Sequence, residues 1–538
     1  MTTKNVRALL AADETLGAGN VLTRMVELGI GLDNPTLTFD TDVDDVIPAW
    51  RALTLGELDQ RVRARAATLH ALGIGGRDPV AVCATRSADV VLTFLALVRL
   101  GAIPALLNAK VPPDLAAIYL SRLRAVALIA DAERRTAFAE QEIGIDRVID
   151  VAGLGAGDPD AAPPPYRHFG LDPVAITHSS GTTGVPKAVV HGHDGMFAAL
   201  RHRLRMPRAQ GSERMLSALP VPHVAMLIAL NQALSGQSEL LALSNQTGPS
   251  VLDAIESWRP TGVLGFAATW ADLAHHDLST RDFGSVALWW NTGDCAHEAH
   301  IRRLVVLGSR IVATSDGRVV KPGSVFIDGL GSSEMGHSHF FITHTSETDR
   351  YGRCIGRAHA FADLKVFDPD GNELPDHAIG ELGTKAPTLS LGYWNDSVTT
   401  FRTRLKGYFL TGDLVYRDEA GYFYHMDRLV DSVDLGNGRR LFTAMSEERI
   451  LAACNDIVDC TVSAVREDGR VVTDVLLQLT ADADPDVDRT DEVLGALDAH
   501  VAETVRQVAV VADESIPHGP TGKVRKFRLR ELQTQGTR

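Results

Sequence analysis

The chain has 538 residues, of which 45% are hydrophobic, 22% charged and 6% aromatic, and its mean hydropathy is near zero; this excludes a disordered or collagen-like chain and allows a sizeable core without staples. Its 53 Lys and Arg against 68 Asp and Glu give a formal net charge of -15, a surface that repels nucleic-acid phosphates and anionic lipid heads, so neither nucleic acid nor membrane is an expected partner. Five cysteines without C-x-x-C spacing argue against a disulfide framework or a zinc site, and the opening MTTKNVRALLAADETLG has no long apolar core of a secretory signal, so a cytoplasmic protein is expected.

In chain order, LGELDQRVRARAATLHALGI (55–74) predicts a helix, PVAVCA (79–84) a strand and ADVVLTFLALVRLGA (88–102) a second helix. The apolar stretch at 90–98 ends at Arg99, too short to cross a bilayer, and reads as a buried helix. RAVALIAD, RVIDVA and VVHGHDGMFAALRHRL continue the alternation of parallel βαβ units. The Pro- and Gly-rich stretch at 152–165 reads as a surface loop. After residue 360, LKVFDPDGNELP, IGELGTK and GYFYHMD are short strands between turns, a β-rich subdomain. From Ser446 onward the text predicts a helix (EERILAACNDI), a hairpin (TVSAVREDGRVVTDVLLQLTA) and a second helix (DEVLGALDAHVAETVRQV), the size of a separate α+β domain.

The segment ITHSSGTTGVPKAVVHGH carries the strongest chemical signal. Ser179, Ser180, Gly181, Thr182, Thr183, Gly184 and Lys187 lie between two apolar strands; glycines allow a tight turn with inward amides, and the hydroxyls add donors, so the loop can cradle phosphates. It lacks the G-x-x-x-x-G-K-S/T spacing of a Walker A loop.

This loop resembles the phosphate-binding loop of the adenylate-forming superfamily, which includes acyl- and aryl-CoA synthetases, peptide-synthetase adenylation domains and luciferase. Further segments match in the same order. NTGDCA (291–296) is similar to the adenine-binding turn, placing Gly293 and Asp294 at the base, and GLGSSEMG (329–336) to the element that puts Ser333 beside the α-phosphate and Glu334 on magnesium. YFLTGDLVYRDEAGYFYHMDR implies Asp413 at the ribose hydroxyls and Arg428 at the ribose or phosphates, and PHGPTGKVRKFRLRE implies Lys523 as the catalytic lysine. The resemblance also implies roles for Thr182 in catalysis and for His223, Gly265, Phe266, Ala267 and Gly331 at the acid. The fold implied is α/β: a large N-terminal domain of layered α/β sheets plus a β-rich subdomain over 1–427, and a small mobile α+β domain over 428–538 carrying Lys523. ATP, Mg2+ and CoA are the implied cofactors. The physical logic agrees, because a carboxylate attacking the α-phosphate brings two anions together, and the site must supply cations and donors where charge builds up.

Three positions depart from the family text. Leu330 stands where an aromatic usually stacks on adenine, so a stacking contribution of about 1 kcal/mol is lost. Ala188 replaces a glycine after the loop lysine. The hinge reads Asp427, Arg428, Leu429, Val430, and a stiff β-branched Val430 cannot make a polar residue's hydrogen bonds. Adenylation is therefore expected, with weak thioester formation or transfer by another protein.

No acid lies between Arg214 and Ser235, which points away from an amino-acid ammonium. Small residues on the implied acid-binding segments suggest a bulky hydrophobic acid: polycyclic, terpenoid, aryl or medium-chain. The overall texture resembles the unusual acyl-CoA synthetases of platensimycin-type diterpenoid pathways. The acceptor is CoA or a carrier-protein thiol, with a partner acyl-transferring enzyme and a homodimer left open. The competing readings are an adenylation-only enzyme, a non-catalytic nucleotide or acyl-adenylate binder, and a luciferase-like oxygenase.

Overall fold

Runs such as PVAVC and ALIA are too continuously apolar for a sheet with one wet face. In the computed structural model, which describes residues 3–179, 184–315 and 317–536, they are inner strands of a seven-stranded sheet. Its order is Gly392–Tyr393, Ala188–Gly192, Pro173–His178, Ile103–Leu106, Pro79–Cys83, Ala127–Ala130, Val148–Asp150. The last five run parallel, and the first two add antiparallel at the edge.

A second, longer sheet has a parallel half formed by Pro35–Phe39, Glu239–Ala242, Arg214–Ser217, Gly262–Phe266, Leu288–Thr292 and Val325–Asp328. It continues into antiparallel strands Phe340–His344, Cys354–Ala358, Phe423–Arg428, Tyr408–Arg417, Gly380–Lys385 and Asp363–Phe367, the β-rich region expected after residue 360.

The helix Ser87–Leu100 lies between the two sheets with every residue but Arg99 buried. Its side chains share one cluster with Val80 and Val82 of the first sheet and Leu37 and Leu240 of the second. Each buried Val, Leu or Phe there contributes about 1.5–3 kcal/mol. Gly101, at φ 75°, closes the helix in the left-handed conformation that a side chain disfavours. The preceding helix, Leu55–Ala71, starts at a reciprocal cap: Thr54 accepts from the Glu57 amide, and the Glu57 carboxylate accepts from the Thr54 amide. The stretch at 152–165 forms short 3-10 turns, Val151–Ala156 and Pro159–Ala161, with Val151 and Leu154 buried.

The C-terminal part has its own core, which includes Leu441, Ile450, Leu451, Val462, Val475, Leu477 and Val493. Strands Ile457–Glu467 and Arg470–Leu479 form the expected hairpin. The expected long second helix does not form. Thr490–Ala496 and Ala499–Ala502 are short helices, and Val505–Val510 is a strand parallel to Arg470–Leu479. The β-branched Val505, Val508 and Val510 favour the extended form, and the open sheet edge supplies the hydrogen bonds. Among the described residues no helix is long and apolar enough to cross a membrane.

Candidate active site

The chemical motifs gather where the parallel strands of the second sheet end. His223 follows Arg214–Ser217, Phe266 ends Gly262–Phe266, Gly293 follows Leu288–Thr292, and Ser333 and Glu334 follow Val325–Asp328. Loops at carboxyl ends of parallel strands are the usual crevice for ligands in α/β sheets. Here they wall a cavity of about 470 Å3 that also takes in Ser179, Lys187, Arg428, Val430, Thr521 and Lys523.

The phosphate-loop candidate is pinned at its base. The Ser179 amide donates to the Lys187 carbonyl at 2.9 Å, and the Lys187 amide to Ser179 Oγ at 3.0 Å. Gly184 has φ 131°, a conformation a side chain rarely adopts. Ser180, Gly181, Thr182 and Thr183 lie outside the described residues. Lys187 Nζ stands 5.3 Å from the centroid of the Tyr393 ring, and the Tyr393 hydroxyl donates to Glu334 Oε1 at 2.9 Å. A carboxylate on the cavity wall, held by one hydroxyl, suits a small oxygen-seeking dication shared with phosphates, so Glu334 fits magnesium.

At the opposite side, charges are packed closely. Arg428 Nε lies 3.2 Å from Asp413 Oδ1, and His425 Nε2 lies 3.5 Å from the same oxygen. Burial opposes ionisation of Asp413, but Arg428 and His425 hold its carboxyl below the usual carboxylate range. Lys523 Nζ is 3.4 Å from Asp294 Oδ2, and Arg353 Nη2 is 3.6 Å from Asp294 Oδ1. Burial again opposes, and Lys523, His425 and Arg353 outweigh it, so Asp294 is ionised at any working pH.

The turn bearing Asp294 is braced from beneath. Trp270 Nε1 donates to Asn291 Oδ1 at 2.8 Å, while Asn291 Nδ2 donates to the Asp294 carbonyl and to Asp328 Oδ1, both at 2.6 Å. The Lys523 loop is seated by Asn108 Nδ2, which donates to the Pro520 carbonyl at 3.1 Å. Gly522 is at φ 78°, where an added Cβ would sit 3.0 Å from Ala268 Cβ.

His223 caps the apolar helix Val224–Gly236: its Nδ1 accepts from the Ala225 amide at 3.1 Å. Phe266 meets the imidazole edge-on, with centroids 4.9 Å apart. Burial, then the nearby His178 and Lys523, push the His223 pKa down to about 3, so the ring is neutral. With Nδ1 committed as an acceptor, the proton is assigned to Nε2, leaving one N–H to donate in the cavity. Beyond it, Val224, Ala225, Ile228, Ala229, Leu219 and Leu264 form apolar walls.

Ser179, Lys187, His223, Phe266, Gly293, Gly331, Ser333, Glu334, Arg428, Val430 and Lys523 thus share one cavity. Asp413 is buried behind Gly412 and Arg428, and Asp294 lines an adjoining cleft of about 320 Å3 together with Ala267 and Lys523. Two expected residues lie elsewhere. Leu330 is buried with Met335 and Phe340, because the turn directs it into the β-rich core. Gly265 packs on Trp270, whose ring would lie 2.8 Å from an added Cβ.

Asn291, Asp328, Arg353, His425 and Tyr393 were not singled out from sequence, although Asn291 and His425 stand inside the quoted motifs. His337 is on the cavity wall; His191, His193 and His339 are buried.

Residues 35–394 match the AMP-binding enzyme family. The chain is 42% identical, over 99% of its own length and 98% of the relative's, to a 3-aminoavenalumate diazotase of a Streptomyces species. It is 27% identical to a feruloyl-CoA synthase of an Amycolatopsis species, over 89% of this chain and 94% of that one. Its fold is that of an anthranilate CoA ligase solved with anthranoyl-AMP, with a TM-score of 0.81, 20% identity and 99% of each chain covered. A match over residues 35–394, on a chain whose adenylation motifs meet in one cavity, makes this protein a member of the AMP-binding, adenylate-forming enzymes.

Proposed function

We propose that the protein uses ATP to adenylate nitrite and passes the nitroso group to an aromatic amine, giving a diazonium product. The observation that carries this reading is the 42% identity, over nearly the whole of both chains, to a relative named as a diazotase. In the first step a nitrite oxygen bonds to the α-phosphorus of ATP as the bond to pyrophosphate breaks. In the second, the amine nitrogen attacks the nitroso nitrogen and AMP leaves. The N-nitrosoammonium so formed loses a proton to solvent; the resulting N-nitroso amine tautomerises to the diazohydroxide, which takes up a proton and expels water.

The chain's residues divide that work. The Nε2–H of neutral His223 donates to the oxyacid, and the Lys523 ammonium, held 3.4 Å from Asp294, stabilises charge as the α-phosphate is attacked. Ser179 to Gly184 and Lys187 hold phosphates, with Thr182 and Ser333 at the α-phosphate. Gly293, Asp294, Leu330, Asp413 and Arg428 form the adenosine side, Leu330 through its backbone turn. Magnesium on Glu334 would neutralise phosphate charge. Residues 1–427 form the nucleotide-binding domain and 428–538 the lysine-bearing one, with Val430 at the hinge. An amine already in the cavity needs no second conformation to deliver a thiol, so a stiff Val430 costs this reaction nothing. The five cysteines are unpaired and buried, which suits a reducing cytoplasm.

A second reading, adenylation of an aryl carboxylic acid and transfer to CoA, is favoured by the feruloyl-CoA synthase similarity. The two are separated by incubating the protein with ATP, magnesium, nitrite and 3-aminocinnamic acid and trapping diazonium by azo coupling. Azo product that requires both ATP and nitrite supports diazotisation; an acyl-CoA formed on adding CoA, with no azo product, supports the second reading.

A further inference from the structure

The far end of the cavity holds a cation without a counter-ion. Arg203, at the end of the helix His193–Leu204, lies against Trp290 with its Cζ 4.1 Å from the ring centroid, and its Nη1 donates to Gln232 Oε1 at 2.8 Å. Both residues line the cavity, as does His337. Among the described residues no carboxylate lies within 4 Å of the Arg203 guanidinium, and its other N–H groups have no protein acceptor. The facing imidazoles give no compensation: burial, then Arg203 itself, keeps His337 and His359 neutral. Apolar side chains, Ile228, Ala229 and Leu264 among them, line the same cavity.

Arg203 is half-buried; a guanidinium held partly out of water is costly unless paired, and its planar fork matches a carboxylate with two parallel hydrogen bonds. The contact with Trp290 and the Gln232 bond restrain that fork. Gln232 lies nine residues beyond His223 on the same helix, a separation of about 13 Å along the axis. The clamp is therefore remote from the adenylation centre, at the other end of any molecule that fills the cavity.

We infer that Arg203 and Gln232 form a carboxylate-binding subsite that orients an amino-aryl carboxylic acid with its acid at Arg203 and its amine toward His223 and the α-phosphate. The inference rests on the diazotising reading only for what the amine then does. It reverses the orientation of a CoA ligase substrate, whose carboxylate must face the α-phosphate.

The test is equilibrium binding by calorimetry, with AMP present and nitrite absent, of 3-aminocinnamic acid and its uncharged primary amide. Wild-type protein should bind the acid at least about tenfold more tightly, as expected for a charge-assisted pair. Arg203→Met should bring the two within about twofold, and Arg203→Lys should retain the preference with weaker binding of the acid. Equal binding of acid and amide by wild type, binding of neither, or a full preference surviving in a folded Arg203→Met variant would overturn the inference. The wild-type comparison needs no variant, and no outcome depends on nitrite chemistry, so subsite and reaction can fail separately.

Discussion

His223 has two jobs that substitution can separate. Its Nδ1 accepts the Ala225 amide at the start of Val224–Gly236, and its Nε2–H faces the cavity. His223→Ala removes both. Loss of the cap costs about 1 kcal/mol, which in a chain of this size lowers the melting temperature by about 2 °C or less. Loss of a positioned donor costs about 10²- to 10³-fold in the adenylation rate. His223→Asn keeps a side-chain oxygen for the cap but offers nothing at the Nε2 position, so it should regain the melting temperature and none of the rate. Because burial holds the imidazole pKa down to about 3, the wild-type rate should show no inflection near pH 6.5 from this residue. The assays are a thermal melt and the ATP-dependent rate between pH 5.5 and 8.5. An Asn variant with wild-type rate would reduce His223 to a cap and refute the reasoning.

Other consequences follow from burial and backbone geometry. Burial lowers the pKa of His191 and His339 to about 3 and of His193 and His344 to about 4. The unfolded chain, near 6.5, binds the extra protons, so stability is full above that value and falls as pH drops; at pH 5.5 each histidine removes about 1.4 kcal/mol. The urea midpoint should drop from pH 7.5 to 5.5, and a flat profile would contradict neutral burial. Phe94→Ala, in the helix between the sheets, should cost about 3–5 kcal/mol, read from the same titration; a loss under about 1 kcal/mol would place that helix outside the core. Gly293→Ala combines φ 88° with a Cβ 3.1 Å from the Phe266 ring. It should weaken ATP binding at least about tenfold by calorimetry, and wild-type affinity would remove that turn from the nucleotide site.

Contiguous motifs were readable because their function lies in local backbone: the loop at 179–187, the turn at 291–296 and the segment around Lys523 each bring their own glycines and polar groups. The buried helix at 90–98 was readable for the same reason, as its apolar run is continuous. Convergence across distant segments was not. Arg203 sits among other basic residues in RHRLR, and nothing local distinguishes it; its meaning comes from Trp290 and Gln232, which folding brings beside it. Leu330 was placed by analogy with an aromatic, whereas the turn directs it into the core. The strand Val505–Val510 was read as helix because a neighbouring sheet edge, absent from any local pattern, decides between the two forms. The small residues that suggested room for a bulky hydrophobic acid gave no sign of Arg203 and Gln232, which stand on the same cavity wall as the apolar side chains.

The most direct test of the central claim is ATP–pyrophosphate exchange with nitrite as the only acid. Exchange should saturate with nitrite, need magnesium, and fall about 10²- to 10³-fold in Lys523→Ala while ATP binding persists. Exchange driven by aryl carboxylic acids and absent with nitrite would contradict that claim and return the protein to carboxylate activation.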